Sequence, residues 1–301
     1  MPKSLLILFF SYFLSAPNPK KIEVHPSFPY QLNAPNAIFE MPESLKEISG
    51  LSLCSDSLHL AAINDEEGIV FLFDKTNGEV TKEVKFWDDG DYEGLEVVGN
   101  DIYVVKSNGT IYQVKNYAAD KPETHKIKSF LCKENDVEGL AFNPENNRLL
   151  IGCKGKIAEG EDADSATKKA IYEFDLDGMA MLNKPCYLLT LPSIQNYLKH
   201  QDKHDHLDKF LKTFAEGEKE LKFSPSGIAI HPVTKNIYVT SSKGKMLLVL
   251  DQKGKILHLE KLKKKIHRQP EGICFDTDGT LYIANEGKDD KALVYKFLYQ
   301  N

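Results

Sequence analysis

The sequence predicts an all-β fold, a β-propeller of four-stranded blades, and three observations support this prediction. First, a short motif of Ser or Glu, then Gly, then Leu or Ile recurs at intervals of 44, 45, 88 and 45 residues. Second, each copy opens a strand of alternating apolar residues, which turn residues and further strands follow. Third, a repeating unit of about 40–50 residues made of strand signals is typical of a propeller blade.

The five copies of the motif share a position at the start of a strand. They are Ser49–Leu51, Glu93–Leu95, Glu138–Leu140, Ser226–Ile228 and Glu271–Ile273. Each copy is followed by a turn, a second strand such as DIYVVKS, a third strand, a hairpin turn such as DQKG and a fourth strand. This order is the one expected for a single blade.

The interval of 88 residues spans about two periods. We interpret it as one blade with two insertions, a polar loop at 157–169 and a helical segment at 193–222, where apolar residues recur at three- and four-residue spacing. The sequence therefore predicts five blades, with six as the alternative.

The last blade, which begins at Glu271, runs out of sequence after its third strand. Ala37–Met41 is apolar and lies just before the first motif, so we expect it to supply the missing fourth strand. Closing the ring in this way leaves no free sheet edge. The propeller is accordingly predicted to span residues 36–301, after a proline-rich linker at 17–35.

The N-terminus has the layout of a secretory signal peptide. Lys3 is followed by an apolar run from Leu5 to Leu14 and by the small pair Ser15 and Ala16. The run falls short of the roughly 20 residues that span a bilayer, although an uncleaved anchor is the alternative. Residues 1–16 are therefore predicted to direct export to the periplasm.

Composition argues against several functional classes. The formal net charge is −6 and the two signs are mixed along the chain, whereas nucleic-acid binding needs a basic face. The five cysteines are irregularly spaced and do not indicate a disulfide framework. The sequence contains no G-x-S-x-G motif, Walker loop or dinucleotide fingerprint.

The repeated motif predicts polar side chains around the propeller axis, because the first strand of each blade lines the central channel. The glycine is expected to allow close approach of neighbouring strands. One predicted ring comprises Ser49, Glu93, Glu138, Ser226 and Glu271. A second group, near the ends of the second strands, comprises Asn64, Asp65, Lys106, Lys154, Ser241, Asn285 and Glu286. The strand polarity that would bring both groups to one mouth is left open.

Three carboxylates that converge must take up protons, pair with lysine or hold a cation. Oxygen ligands without clustered His or Cys suit a hard cation such as Ca²⁺. The candidate metal ligands are Glu93, Glu138, Glu271, Glu286 and Asp65. Two alternatives remain: the glutamates accept hydrogen bonds from neighbouring blades, with Lys106 and Lys154 neutralising them, or they are catalytic.

Longer motifs occur in a fixed order along the chain. They are L-x-E-I-S-G-L at 45–51, D-x-E-G-L at 91–95 and 136–140, P-S-G-I-A-I-H-P at 225–232, and Q-P-E-G-I-C-F-D-x-D-G-x-L-Y-I-A-N-E at 269–286. Over residues 36–301 this order resembles the SdiA-regulated (YjiK/CarP-like) β-propeller family. The resemblance implies an envelope propeller, often associated with the inner membrane, with calcium association and no established reaction. The helical segment at 193–222 departs from the family pattern.

The sequence thus predicts an exported cell-envelope binding protein with a Ca²⁺ site in its channel and a small molecule or envelope protein as partner. The alternative is a calcium-dependent lactonase- or phosphoesterase-like hydrolase, in which Glu93, Glu138 and Glu271 hold the ion. A hydrolase needs a base beside the metal-bound water. No histidine lies in the repeat motifs at the level of the ring, which favours binding.

Overall fold

A computed structural model describes residues 28–158, 166–201 and 206–300 of the chain. The predicted signal peptide at 1–16, residues 17–27 of the predicted linker and residues 159–165 of the predicted polar loop lie outside these ranges. The described residues form five antiparallel sheets, each of them one blade of a ring. The prediction of a five-bladed propeller is therefore confirmed.

The strands follow the order of the repeat. The first blade contains β2 (Ile48–Leu53), β3 (His59–Asn64), β4 (Ile69–Asp74) and β5 (Val80–Lys85). The second contains β6 (Tyr92–Val98), β7 (Asp101–Lys106), β8 (Ile111–Lys115) and β9 (Glu123–Ile127). The third contains β10 (Val137–Asn143), β11 (Arg148–Cys153), β12 (Lys168–Asp175) and two short strands that pair with β12, β13 (Ala180–Met181) and β14 (Tyr187–Thr190).

The last two blades complete the ring. The fourth blade contains β15 (Gly227–Ile230), β16 (Ile237–Ser241), β17 (Met246–Leu250) and β18 (Ile256–Lys261). The fifth contains β19 (Pro270–Phe275), β20 (Leu281–Asn285), β21 (Leu293–Phe297) and, on its outer edge, β1 (Ala37–Glu40). In β1, Ala37 pairs with Lys296 and Glu40 pairs with Leu293 of β21.

Two helices lie within or beside the predicted helical insertion, α1 (Leu191–Lys199) and α2 (Leu207–Thr213). Ile194, Leu198 and Phe210 are buried and pack with core residues of the third and fourth blades. Leu211, one of the apolar residues whose spacing predicted the helical segment, is 44% exposed. Two short 3-10 helices occur at Glu43–Leu45 and Lys133–Asn135. No helix in the described ranges is long and apolar enough to cross a bilayer.

The glycines of the repeat bring neighbouring inner strands into direct contact, as the sequence predicted. A Cβ added to Gly94 would lie 2.9 Å from the carbonyl oxygen of Glu138 in the next blade. A Cβ on Gly227 would lie 2.2 Å from the carbonyl oxygen of Glu271, again in the next blade. The inner strands β2, β6, β10, β15 and β19 contact one another in a closed cycle. Any larger residue at these glycines would push the ring apart.

Candidate functional site

Strand pairing brings the two predicted polar groups to the same end of the channel. Within each blade the inner strand runs antiparallel to the second strand, so its start lies beside the end of that strand. Tyr92 at the start of β6 pairs with Lys106 at the end of β7, and Pro270 of β19 pairs with Asn285 of β20. We call this end of the channel the acidic entrance, and its carboxylates include Glu93, Glu138, Glu271, Asp65 and Glu286.

The channel is narrow at the level of the repeated motif. Ser49, Glu93, Glu138 and Ser226 line a cavity of about 10 Å³ together with the inner-strand glycines. A cavity of this size holds about one water molecule. Residues that are far apart in sequence therefore meet at the axis, but the motif level itself has no room for a larger ligand.

The two serines of the motif join neighbouring blades. The Ser49 hydroxyl of the first blade donates a hydrogen bond to the Tyr92 carbonyl of the second, at 2.7 Å. The Ser226 hydroxyl of the fourth blade donates to the Pro270 carbonyl of the fifth, also at 2.7 Å. Both serines are buried, so these bonds satisfy carbonyl groups that water does not reach.

Lys154 is the cation closest to the glutamates of the entrance. Its ammonium group forms an ion pair with Glu138 and lies 3.8 Å from Asp136. Burial raises the pKa of Glu138, whose side chain is 6% exposed, and Lys154 opposes that effect. Burial works against the charge of Lys154 as well, but Glu138 and Asp136 raise its pKa above the usual value.

The surroundings of the other two motif glutamates, Glu93 and Glu271, also oppose the ionised form. Burial, followed by the charges of Glu138 and Asp91, raises the pKa of Glu93 well above its usual range. Burial and the charge of Glu138 raise the pKa of Glu271 to about 8. Lys154 lowers both pKa values only in part. The three motif glutamates therefore carry more negative charge than the Lys154 ammonium group neutralises.

Asp65, Asn285 and Glu286 border the entrance between the first and fifth blades. Burial and the charge of Glu47 raise the pKa of Asp65 to about 7. Asp65 Oδ1 and both polar side-chain atoms of Asn285 are buried without a hydrogen-bond partner, whereas Glu286 accepts a hydrogen bond from Gln269. Buried polar atoms in this state indicate a place for water or a ligand.

Three predicted channel residues have local partners. The Asn64 amide donates to the Ser44 carbonyl at 2.8 Å and its oxygen accepts from the Glu67 N–H at 2.7 Å. The Ser241 hydroxyl donates to the Lys243 carbonyl at 2.7 Å. The Lys106 ammonium lies 5.1 Å from the centre of the Tyr92 ring. These contacts organise the loops around the entrance.

The oxygen atoms at the acidic entrance are of the kind that binds Ca²⁺, but the carboxylates are not grouped closely enough to form a site by themselves. In residues 28–158, 166–201 and 206–300, no three Asp, Glu, His or Cys side chains form a group that could hold one metal ion. Calcium sites in proteins commonly add main-chain carbonyls, amide oxygens and water to their carboxylates. A calcium ion here would need such additional ligands. The Asn285 amide oxygen is of a suitable type, and it has no hydrogen-bond partner.

The opposite end of the channel contains a larger cavity, of about 220 Å³, which the sequence analysis did not predict. Its only glutamate is Glu96, two residues after the motif glycine of the second blade. That position also reaches the axis in other blades. The sequence did contain a sign of this cavity, because the residue at the position of Glu96 has a small side chain in the other four copies of the motif.

The fold and the ordered motifs lead to a family. The sequence profile of the SdiA-regulated family matches residues 28–156 and 183–297. The chain belongs to the SdiA-regulated family. The match includes inner strands from all five blades of this SdiA-regulated propeller and omits residues 157–182, which contain β12. The resemblance drawn from the sequence motifs is therefore confirmed.

Solved structures share the architecture of this SdiA-regulated chain. A glutaminyl cyclase from Myxococcus xanthus is similar with a TM-score of 0.57 at 10% sequence identity, over 89% of this chain and 96% of that one. A gluconolactonase from Xanthomonas campestris is similar with a TM-score of 0.50 at 12% identity, over 83% of this chain and 72% of that one. At these identities the likeness shows the fold alone. No curated protein matches the sequence.

Proposed function

We propose that this SdiA-regulated propeller is a binding protein of the cell envelope that takes up a cation, Ca²⁺, at its acidic entrance. The observation that carries the proposal is the convergence of Glu93, Glu138 and Glu271, from three different blades, around the ammonium group of Lys154. A divalent cation would favour the ionised form of carboxylates that burial and mutual repulsion otherwise oppose.

The unpartnered polar atoms at the entrance support the same proposal. Asp65 Oδ1 and the Asn285 side chain present oxygen atoms that lack a hydrogen-bond partner. Oxygen donors of this kind are those that Ca²⁺ prefers. The ion would reduce the repulsion among the carboxylates and stiffen the loops that carry them. We propose a small molecule or an envelope protein as the partner that binds at this end of the channel.

We also propose that the protein acts outside the cytoplasm. The support is the layout of residues 1–16, with one lysine, a short apolar run and small residues at its end. Peripheral association with the inner membrane is proposed from the family resemblance.

Isothermal titration calorimetry with CaCl₂ tests the cation site. The purified protein is compared with a Glu93→Gln/Glu138→Gln variant and with a Glu83→Gln/Glu145→Gln control, whose exposed side chains lie away from the channel. We expect the wild type and the control to bind, and the channel variant to bind at least about tenfold more weakly. Equal binding by all three proteins, or no binding by the wild type, contradicts the proposed site.

The hydrolase alternative uses the same converging glutamates, of which Glu271 is buried beside Glu138, so that its pKa is raised to about 8. Buried carboxylates with pKa values near neutrality also occur in enzyme active sites. A panel of lactones and phosphoesters, assayed with and without CaCl₂, separates the two functions. Turnover that requires calcium and disappears in Glu271→Gln would replace the binding proposal with a hydrolase.

A further inference from the structure

The cavity at the end of the channel opposite the acidic entrance is formed by one position of the repeat. Two residues after each motif glycine the inner strands carry Ser52, Glu96, Ala141, Ala229 and Cys274. Ser52, Glu96, Ala229 and Cys274 line the cavity. Because four of the five side chains are small, the axis stays open at this level and Glu96 is the long side chain that enters it.

The walls of the cavity combine polar side chains, among them Ser52, Asp276 and Thr277, with apolar ones. Leu53, Phe142, Ile230 and Phe275, from four different blades, line it one residue further along the inner strands. The volume is about 220 Å³. An apolar cavity of about 150 Å³ is large enough to bind benzene. The space therefore accommodates a ring of that size together with a short polar substituent.

Two polar groups of the protein act on the Glu96 carboxyl group. The Ser52 hydroxyl and the Phe142 main-chain N–H favour its ionised form and so lower its pKa. Ser52 is fixed in turn, since its hydroxyl oxygen accepts from the Val97 N–H at 3.1 Å. Burial nevertheless raises the pKa of Glu96 to about 8, because these two groups offset only part of the cost of desolvation.

No cation of the described chain neutralises Glu96. No Lys, Arg or His side chain in residues 28–158, 166–201 and 206–300 forms an ion pair with it. Asp276, the other carboxylate of the cavity, differs in this respect, since the Lys75 ammonium lies 2.5 Å from its carboxylate oxygen. The cavity thus presents one carboxylate whose charge the protein leaves unbalanced.

We propose that this cavity is a binding site for a small organic cation, a primary ammonium group on an apolar body of about the size of a benzene ring. The ammonium group donates hydrogen bonds to the Glu96 carboxylate, and the apolar body packs against Phe142, Ile230 and Phe275. Charge-assisted hydrogen bonds are roughly twice as strong as neutral ones. This site is separate from the acidic entrance and does not depend on Ca²⁺.

Benzylamine is the probe for this proposal, and benzyl alcohol is its neutral counterpart of nearly the same shape. Calorimetric titrations near pH 8 compare the wild type, Glu96→Gln and Glu83→Gln, the last serving as a control with an exposed side chain outside the channel. We expect Glu96→Gln to weaken benzylamine binding about tenfold or more, and Glu83→Gln to leave it unchanged. We expect benzyl alcohol to bind the wild type at least about tenfold more weakly than benzylamine.

A second variant tests the cavity itself without touching its charge. Ala229→Val adds two methyl groups to the wall and is expected to weaken benzylamine binding while the protein still unfolds cooperatively. Benzylamine binding should also tighten between pH 6.5 and pH 8, as Glu96 loses its proton. Equal affinity for benzylamine and benzyl alcohol, an unchanged affinity in Glu96→Gln, or no binding by the wild type overturns the proposal. A loss of Ca²⁺ binding alone does not affect it.

Discussion

The ammonium group of Lys154, which follows the second strand of the third blade, forms an ion pair with Glu138 on the inner strand of the same blade. The pair is asymmetric, since the Lys154 side chain is 41% exposed and the Glu138 side chain is 6% exposed. Water therefore solvates the lysine in part, while the carboxylate depends on the protein for its partners. Glu93 and Glu271 are influenced by the same ammonium group.

Replacing Lys154 by Met is expected to destabilise the protein by about 1–3 kcal/mol near pH 8, because it leaves a buried carboxylate without its cation. The cost should be smaller near pH 5, where Glu138 is protonated, since burial raises its pKa. Urea unfolding at the two pH values measures both effects. The Lys154→Met/Glu138→Gln double variant should recover most of the lost stability, and a double variant as unstable as the single one would contradict this account.

The pH dependence of stability should reflect Glu271. Its pKa is raised from 4.5 to about 8 in the folded protein, so the folded state retains a proton that the unfolded state releases in this range. The free energy of unfolding should therefore fall as the pH rises from about 4.5 to about 8. Each unit of pKa difference corresponds to about 1.4 kcal/mol, so the fall due to Glu271 is on the order of a few kcal/mol.

Glu271→Gln removes this contribution, and its stability should vary less with pH than that of the wild type. The exposed Glu83→Gln substitution is the matched control, and its pH curve should run parallel to that of the wild type. Denaturant unfolding at intervals between pH 4.5 and pH 8.5 gives the three curves. Parallel curves for Glu271→Gln and the wild type would rule out the proposed environment of Glu271.

Gly227 should tolerate no side chain. A Cβ at this position would lie 2.2 Å from the Glu271 carbonyl oxygen, which belongs to the main chain of the next blade and cannot move alone. We expect Gly227→Ala to destabilise the protein by about 3 kcal/mol. Gly178→Ala is the control, because the nearest atom to its Cβ is a carboxylate oxygen of the Asp175 side chain, and it should change stability by less than about 0.5 kcal/mol. Thermal unfolding compares the two, and similar melting temperatures would argue against close-packed inner strands.

Export can be tested with residues 1–16. In a Gram-negative bacterial host, the full chain should appear in the periplasmic fraction, and a chain lacking residues 2–16 should remain in the cytoplasm. A variant in which Ile7 and Phe10 are both replaced by Asp provides a second comparison of unchanged length. Immunoblotting of cell fractions measures all three. Periplasmic recovery of the shortened chain would exclude a role for this segment in export.

Local pattern was enough to predict the architecture. The motif glycines, the alternation of apolar residues and the turn residues between strands are all short-range features. Their spacing predicted five blades with six as the alternative, and the structure has five. The insertion was predicted with less accuracy. Leu211 is three residues from Phe214 but directly follows Phe210, so it points about 100° away from the buried Phe210 around α2 and is exposed.

The candidate site depended more on the folded chain. Glu93, Glu138 and Glu271 could be grouped from the sequence, because equivalent positions of a ring meet at its axis. Lys106 and Lys154 were both candidates to neutralise them, and the folded chain decided that Lys154 pairs with Glu138 while Lys106 lies over the Tyr92 ring. Strand pairing also decided that Asn285 and the motif residues share one end of the channel.

The sequence by itself determined that the chain folds into a ring of repeated blades, because periodicity and turn chemistry act over a few residues. The tertiary structure decided which side chains in the channel have partners. Lys154 neutralises Glu138, whereas Glu96 stands among small and apolar side chains without a cation. This distinction depends on distances across the channel, and side chains from separate blades acquire such distances only when the ring closes.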